Sequence, residues 1–172
     1  MRLISALLAL LLLSSTCFAQ TWTINAAPMG GYLADFPGKP EVEQSNDGVR
    51  NGKPLITYLQ SVQVGSAIFL GVSATDMGAP PGSEAERAAI LDSVRNSILG
   101  SGGRKVVSMK AIKLGGVPGF DMIYDSPEHK VRLRHRIFIS GNRLIQQMAS
   151  GPVGVESNAD TVRFMNSLRL QP

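Results

Sequence analysis

Apolar positions bunch once in this chain and then fall into short, evenly punctuated segments. From Leu3 to Leu13 the run is apolar except for Ser5. Past Ala19 the apolar stretches are brief and separated by Gly, Pro, Asn and Asp, the rhythm of strands and tight turns. Trp22-Thr23-Ile24-Asn25-Ala26 and Gly31-Tyr32-Leu33-Ala34-Asp35-Phe36 read as strands. Pro37-Gly38-Lys39-Pro40 ends the second, because proline cannot donate to a ladder. Glu41 to Pro54 is mainly polar and holds Asn46-Asp47-Gly48 and Asn51-Gly52, so it reads as a loop. Leu55 to Val64 and Ala67 to Ala74 form a strand pair around Gly65-Ser66, and residues 77–82 a further loop.

Helical spacing appears next. Ser83 and Glu86 make a capping box, and Ile90, Leu91, Val94, Ile98 and Leu99 fall on one stripe. Gly100 stands where a left-handed C-terminal cap is expected. A meander follows: Lys105 to Leu114, Gly119 to Asp125, Lys130 to Ile139 and Arg143 to Ala149, joined at 115–118, 126–129 and Gly141-Asn142. A second helix runs from Ser157, its expected cap, to about Leu168. The predicted class is α+β: an antiparallel meander with two main helices packed on one face.

Loop lengths set an expected register. Asp125 is placed opposite Lys130, Ile123 opposite Arg132, Asp121 opposite Arg134, Ile112 opposite Asp121, and His135 opposite Met148. Side chains alternate across a sheet. One face therefore gathers Val107, Met109, Ala111, Phe120, Met122, Tyr124, Val131, Leu133, Ile137, Ile139, Leu144 and Met148, the expected core. The other gathers Lys110, Lys130, Arg132, Arg134 and Arg136 with Asp121 and Asp125, among Ile112, Ile123, Phe138 and Ile145. It reads either as a solvated basic face or as a dock for an anionic partner.

The N-terminal run changes where this fold is expected to work. Arg2, the apolar run and the small-polar Ser14 to Ala19 make the three parts of a secretory signal, too short to span a bilayer. Cleavage is expected after Ala19, so residues 1–19 are a signal peptide and 20–172 one domain, exported to the periplasm or beyond. Lipidation of Cys17 is the competing reading. Cleavage removes the only cysteine, leaving no disulfide or thiol chemistry. The formal net charge of +4 falls to +3 with the loss of Arg2. Such a mild excess does not point to nucleic acid; it favours an anionic surface or an envelope protein as partner.

Several segments in order carry a resemblance. They are Phe36-Pro37-Gly38-Lys39-Pro40, Gly116-Val117-Pro118-Gly119-Phe120-Asp121, Arg134-His135-Arg136-Ile137-Phe138, Gly141-Asn142-Arg143-Leu144-Ile145-Gln146, and Ala159-Asp160 through Phe164-Met165-Asn166-Ser167-Leu168. The order resembles small exported bacterial domains of PsbP-like and DcrB-like architecture. The resemblance implies an antiparallel sheet with helices packed on it, and an accessory or assembly role rather than catalysis. The family often has an aromatic at Ile145 and a glutamate at Asp121. Its motifs are turn and core signatures, so no functional residue carries over.

Candidate chemistry is sparse. The two histidines are His129, in a turn, and His135, on the core face, whereas a metal site needs three or four converging ligands. No serine sits in a Gly-x-Ser-x-Gly elbow. Asp121 and Asp125 share a face but have cationic neighbours, and Gly115-Gly116-Val117-Pro118-Gly119 joins strands without a phosphate-binding lysine. The expectation is no metal, no cofactor and no catalytic site. Two functions remain: a non-catalytic envelope binding module, or a small hydrolase whose deep pocket brings titratable groups together.

Overall fold

The computed structural model describes residues 21–50 and 52–171. The expected signal peptide, its cut after Ala19 and Cys17 lie outside the described residues. In chain order the elements are β1 (Trp22–Ala26), β2 (Tyr32–Pro37), β3 (Glu41–Arg50), β4 (Lys53–Val64), β5 (Ile68–Asp76), α1 (Glu84–Gly100), β6 (Lys105–Leu114), β7 (Val117–Ser126), β8 (Val131–Ser140), β9 (Arg143–Gly151), a 3₁₀ turn (Val155–Ser157), α2 (Ala159–Ser167) and β10 (Arg169–Leu170). A seven-stranded antiparallel sheet has the order β3-β4-β5-β9-β8-β7-β6, and a three-stranded sheet the order β1-β2-β10. The sheet is thus larger than the expected meander.

The turn chemistry explains most of this pairing. Gly115 and Gly116 take positive φ and form a two-residue hairpin loop between Leu114 and Val117. Strand β7 therefore starts two residues earlier than expected. The loop after it is also displaced: Ser126 pairs with Val131, and Lys130 takes a φ of 54°. Asp125 consequently faces Arg132, Ile123 faces Arg134 and Asp121 faces Arg136, each two residues from the expected partner. Lys110, not Ile112, lies opposite Asp121. A slip of two leaves side chains on their own faces, except at Lys105 and Val106, where a one-residue bulge in β6 exchanges them. The β8–β9 hairpin has the expected register, with His135 opposite Met148 and Arg136 opposite Gln147.

The segment 41–54 is a correction: it is β3 and the start of β4, not a loop. Asn46-Asp47-Gly48 makes a bulge inside β3, with Gly48 at φ 117° and its N–H bonded to Asn46 Oδ1 at 3.1 Å. The same residue types serve a turn or a bulge, and pairing with β4 selects the bulge. The hairpin turn itself lies between Arg50 and Lys53.

A second correction concerns coverage. The helices pack on opposite faces, not on one. Leu91 of α1 is buried against Met122, Tyr124, Ile137 and Ile139, with Ile90, Val94, Ile98 and Leu99 packed around them. On the other face Phe164, Met165 and Leu168, together with Tyr32, Ala34 and Phe36 of β2, cover Leu70, Val72, Ala74, Phe138, Ile145 and Ala149. The protein is three layers thick, with the large sheet in the middle. Val107 and Met109, expected in the core, are 49% and 46% exposed because α1 does not extend over edge strand β6. Val107 is also skipped by a bulge in the β6–β7 ladder.

Helix ends show the same dependence on context. Ser83 Oγ caps α1 by accepting from Glu86 N–H at 3.1 Å, as expected. The return bond of the box reaches Gly82 N–H instead of Ser83, at 2.7 Å to Glu86 Oε2. Gly100 is not a left-handed cap: Ser101 is the extended C-cap, and positive φ appears at Gly102 and Gly103. The Ile98 carbonyl, orphaned by the helix end, accepts from Ser101 Oγ and from the Arg104 guanidinium, so no left-handed residue is needed at position 100. For α2 the cap is Asn158, whose Oδ1 accepts from Asp160 and Thr161 N–H, while Ser157 is taken up by the 3₁₀ turn.

Candidate functional site

The five basic residues of the expected partner face do not form one free patch. Lys110 and Lys130 are exposed. The three arginines are engaged within the fold, with side chains 14–17% accessible. Arg132 grips both oxygens of Asp125 at 2.7 and 3.1 Å and reaches Glu156 of the 3₁₀ turn at 3.0 Å. Arg134 grips both oxygens of Asp121 at 3.2 and 2.8 Å. Arg136 donates to Asp121 Oδ2 at 3.0 Å and to the Met165 carbonyl at 2.5 Å. Burial alone would raise the Asp121 pKa; the hydrogen bonds and charges of Arg134 and Arg136 outweigh it and lower it. The hydrogen bond and charge of Arg132 likewise lower that of Asp125.

This cluster ties α2 to the sheet. The last carbonyls of α2 have no helical partner, and Arg136 serves Met165 while Gln147 Nε2 serves Phe164 at 2.7 Å. A guanidinium there also faces the negative end of the helix dipole. The sequence pattern contained Asp121 and Asp125 as partners but missed Glu156, which only the chain reversal after β9 brings alongside.

The opposite face of the sheet is covered only in part. Over β7 and β8 it is apolar and lies under α1. Towards β5, β4 and β3 the same face turns polar, with Ser73, Gln146, Thr57 and Ser45, and opens as a groove of about 340 Å³. Edge strand β3 forms its wall. The β3 bulge aims Asp47 inward, where Oδ2 accepts from Thr57 Oγ1 at 2.5 Å and Oδ1 from Ser45 Oγ at 2.8 Å. Thr57 and Thr75 hydroxyls lie 2.6 Å apart behind them. Glu43 adds a second carboxylate, and Leu59 and Met148 supply apolar surface. The sequence placed His135 and Met148 on the core face, Asp47 in a turn signal and Gln146 in a hairpin, and marked none of the groove residues as a binding group. The wall strand is polar on both sides and leaves no alternation to detect.

His135 lies at the edge of this groove and is 6% exposed. Its Nδ1 sits 3.2 Å from the Tyr124 hydroxyl, while Nε2 is buried without a hydrogen-bond partner. Burial lowers its pKa to about 4; the nearby Gln146 amide opposes that shift without closing a hydrogen bond, and the Arg104 charge adds to it. His135 is therefore a neutral imidazole at neutral pH. His129 is exposed, with Nε2 3.9 Å from Glu128.

A larger cleft, about 630 Å³, separates α1 from the β6–β7 hairpin. Its floor is Leu91 and Phe120, and charged Glu84, Arg87, Asp92 and Lys113 line it. Asp92 is already paired with Arg95 at 2.7 Å. Among the described residues no group of three or more His, Cys, Asp or Glu is placed to hold a metal ion. No helix among them is long and apolar enough to cross a membrane.

No protein-family model matches this chain, and no curated protein sequence matches it. Solved structures do. The solution structure of cyanobacterial PsbP (CyanoP) from Synechocystis sp. PCC 6803 superposes with a TM-score of 0.59, at 9% identity, over 88% of this chain and 94% of that one. The crystal structure of PA94, a protein of unknown function from Pseudomonas aeruginosa, gives a TM-score of 0.46 at 11% identity, over 79% of this chain and 86% of that one. The first of these shows that the chain has a PsbP-like fold.

Proposed function

We propose that this chain is a non-catalytic accessory module, exported from the cytoplasm, that binds through the groove bounded by β3. The observation that carries this reading is the change of chemistry along one sheet face. Where α1 lies, the face is apolar and buried; beyond β9 it carries hydroxyl, amide and carboxylate groups beside apolar surface, and is concave and uncovered. A concave surface with a few placed polar groups is the usual form of a ligand site. The hydrolase alternative needs a nucleophile held against a base. His135 offers its Nδ1 to Tyr124, and no hydroxyl lies within hydrogen-bond reach of its Nε2.

Site-specific photocrosslinking in the producing cells tests the proposal. A photoreactive residue replacing Ser73, inside the groove, is expected to give a discrete adduct. The same group at Val162, exposed on α2, serves as the control. Absence of an adduct at Ser73, or identical adducts at both positions, overturns binding through the groove.

A further inference from the structure

We propose that copies of this chain associate head to tail, edge strand β6 of one copy adding to edge strand β3 of the next. This goes beyond binding through the groove and does not depend on it. The large sheet is open at both ends: β3 has only β4 beside it, and β6 only β7. Each edge therefore offers a row of backbone N–H and C=O groups without a strand partner. The two strands are matched in length, at 10 residues each. Each also keeps a stretch free of bulges, residues 41–46 in β3 and 108–114 in β6, that an added strand can follow.

Charge selects the pairing. Strand β3 carries Glu41, Glu43 and Asp47, with Arg50 at its end; β6 carries Lys105, Lys110 and Lys113 and no acidic residue. Glu41, Glu43 and the three lysines are exposed, and none of these five makes a salt bridge among the described residues. Lys110 stands opposite Asp121 in the ladder, but that carboxylate is taken by Arg134 and Arg136. Charges on a free edge ordinarily keep strands apart. Here the two edges have opposite signs. A two-fold contact of β6 with β6, or of β3 with β3, sets like charges together, whereas β3 against β6 sets opposite ones together.

Exposed apolar side chains supply an independent observation. Of the large ones exposed among the described residues, Val42 and Val49 stand on β3, and Val106, Val107 and Met109 on β6; Ile24, Val153 and Val162 lie elsewhere. The apolar surface that the fold leaves uncovered is thus concentrated on the two strands of the large sheet that lack a neighbour. A strand added there would take part of it out of water.

Analytical ultracentrifugation of the purified protein tests this. At about 20 mM salt the average mass is expected to rise with concentration and to pass beyond a dimer, because a head-to-tail contact leaves one free edge of each kind. At about 500 mM salt it is expected to fall towards the monomer, as exposed charges are then screened within roughly 4 Å. Lys110→Glu/Lys113→Glu reverses one edge and Glu41→Lys/Glu43→Lys the other, all four at exposed positions. Each double variant alone is expected to associate about tenfold more weakly than the parent. Mixed, the two are expected to regain association, because the β3 of each then meets a β6 of opposite sign on the other. If either variant fails to fold, amide hydrogen exchange of the parent decides. Raising the protein concentration is expected to slow exchange along β3 and β6 and not along β1, the free edge of the small sheet. A monomer at every concentration overturns the proposal, and so does a mass that stops at the dimer. A mixture no heavier than its two components, or exchange along β3 and β6 that ignores concentration, overturns it as well.

Discussion

Asp121 and Arg136 stand directly opposite each other on β7 and β8, joined by a 3.0 Å hydrogen bond beneath α2. Asp121 is 3% exposed and serves Arg134 as well. Arg136 in turn holds the Met165 carbonyl, so the pair links two strands to the end of a helix. Removing one partner leaves buried charge behind. Asp121→Ala is expected to cost about 3–5 kcal/mol, read as a lower urea midpoint. Arg132→Gln with Arg136→Gln is expected to destabilise measurably as well; an unchanged midpoint in the double variant would show that these arginines are surface groups.

His135 predicts a pH dependence. Its folded pKa of about 4 lies below the ordinary value of 6.5, so the unfolded chain takes up the proton first as pH falls. The stability of the neutral, buried ring is complete above pH 6.5 and is lost progressively between 6.5 and 4, by about 3 kcal/mol in all. The groups acting on it are Tyr124 on β7, Gln146 on β9 and Arg104 before β6. Denaturation midpoints across that window are expected to fall in the parent protein and to stay nearly level in His135→Gln. Parallel curves for the two would remove His135 as the cause.

Two glycines are expected to respond in opposite directions to the same methyl group. At Gly119 an added Cβ would lie 2.2 Å from the Ile137 carbonyl oxygen and 2.5 Å from Phe138 Cδ1. Gly119→Ala is expected to destabilise by about 1–3 kcal/mol through overpacking. At Gly100, in the last turn of α1, nothing lies within 4 Å and φ is not positive. Gly100→Ala is expected to stabilise by about 0.5 kcal/mol, by reducing unfolded-state entropy. Thermal melts of both variants check the sign of each change.

The proposed export carries a prediction about covalent structure. The protein recovered from outside the cytoplasm is expected to begin at Gln20, with Cys17 gone and no lipid attached. Intact mass decides this. A diacylglyceryl adduct on Cys17 would place the domain on a membrane instead.

Much of the fold was legible because it is set by short-range chemistry. Gly115-Gly116 and Gly141-Asn142 specify hairpins through backbone conformation alone, and Ser83 marks the start of α1 by a local hydrogen bond. Apart from Lys105 and Val106 beyond the β6 bulge, faces survived the register errors because both slips were even. What covers a face was decided by residues far apart in sequence. Phe138 and Ile145 alternate with arginines, a pattern that fits a wet surface or a buried one with its charges paired; β2 and α2, more than a hundred residues apart at their extremes, settle it by closing over them. Strand β3 has no apolar face to reveal it, so its pairing with β4, its bulge and the groove they form exist only in the folded chain. Local sequence determines how the backbone can turn; the assembled layers determine which polar groups are buried together, and with them the candidate site.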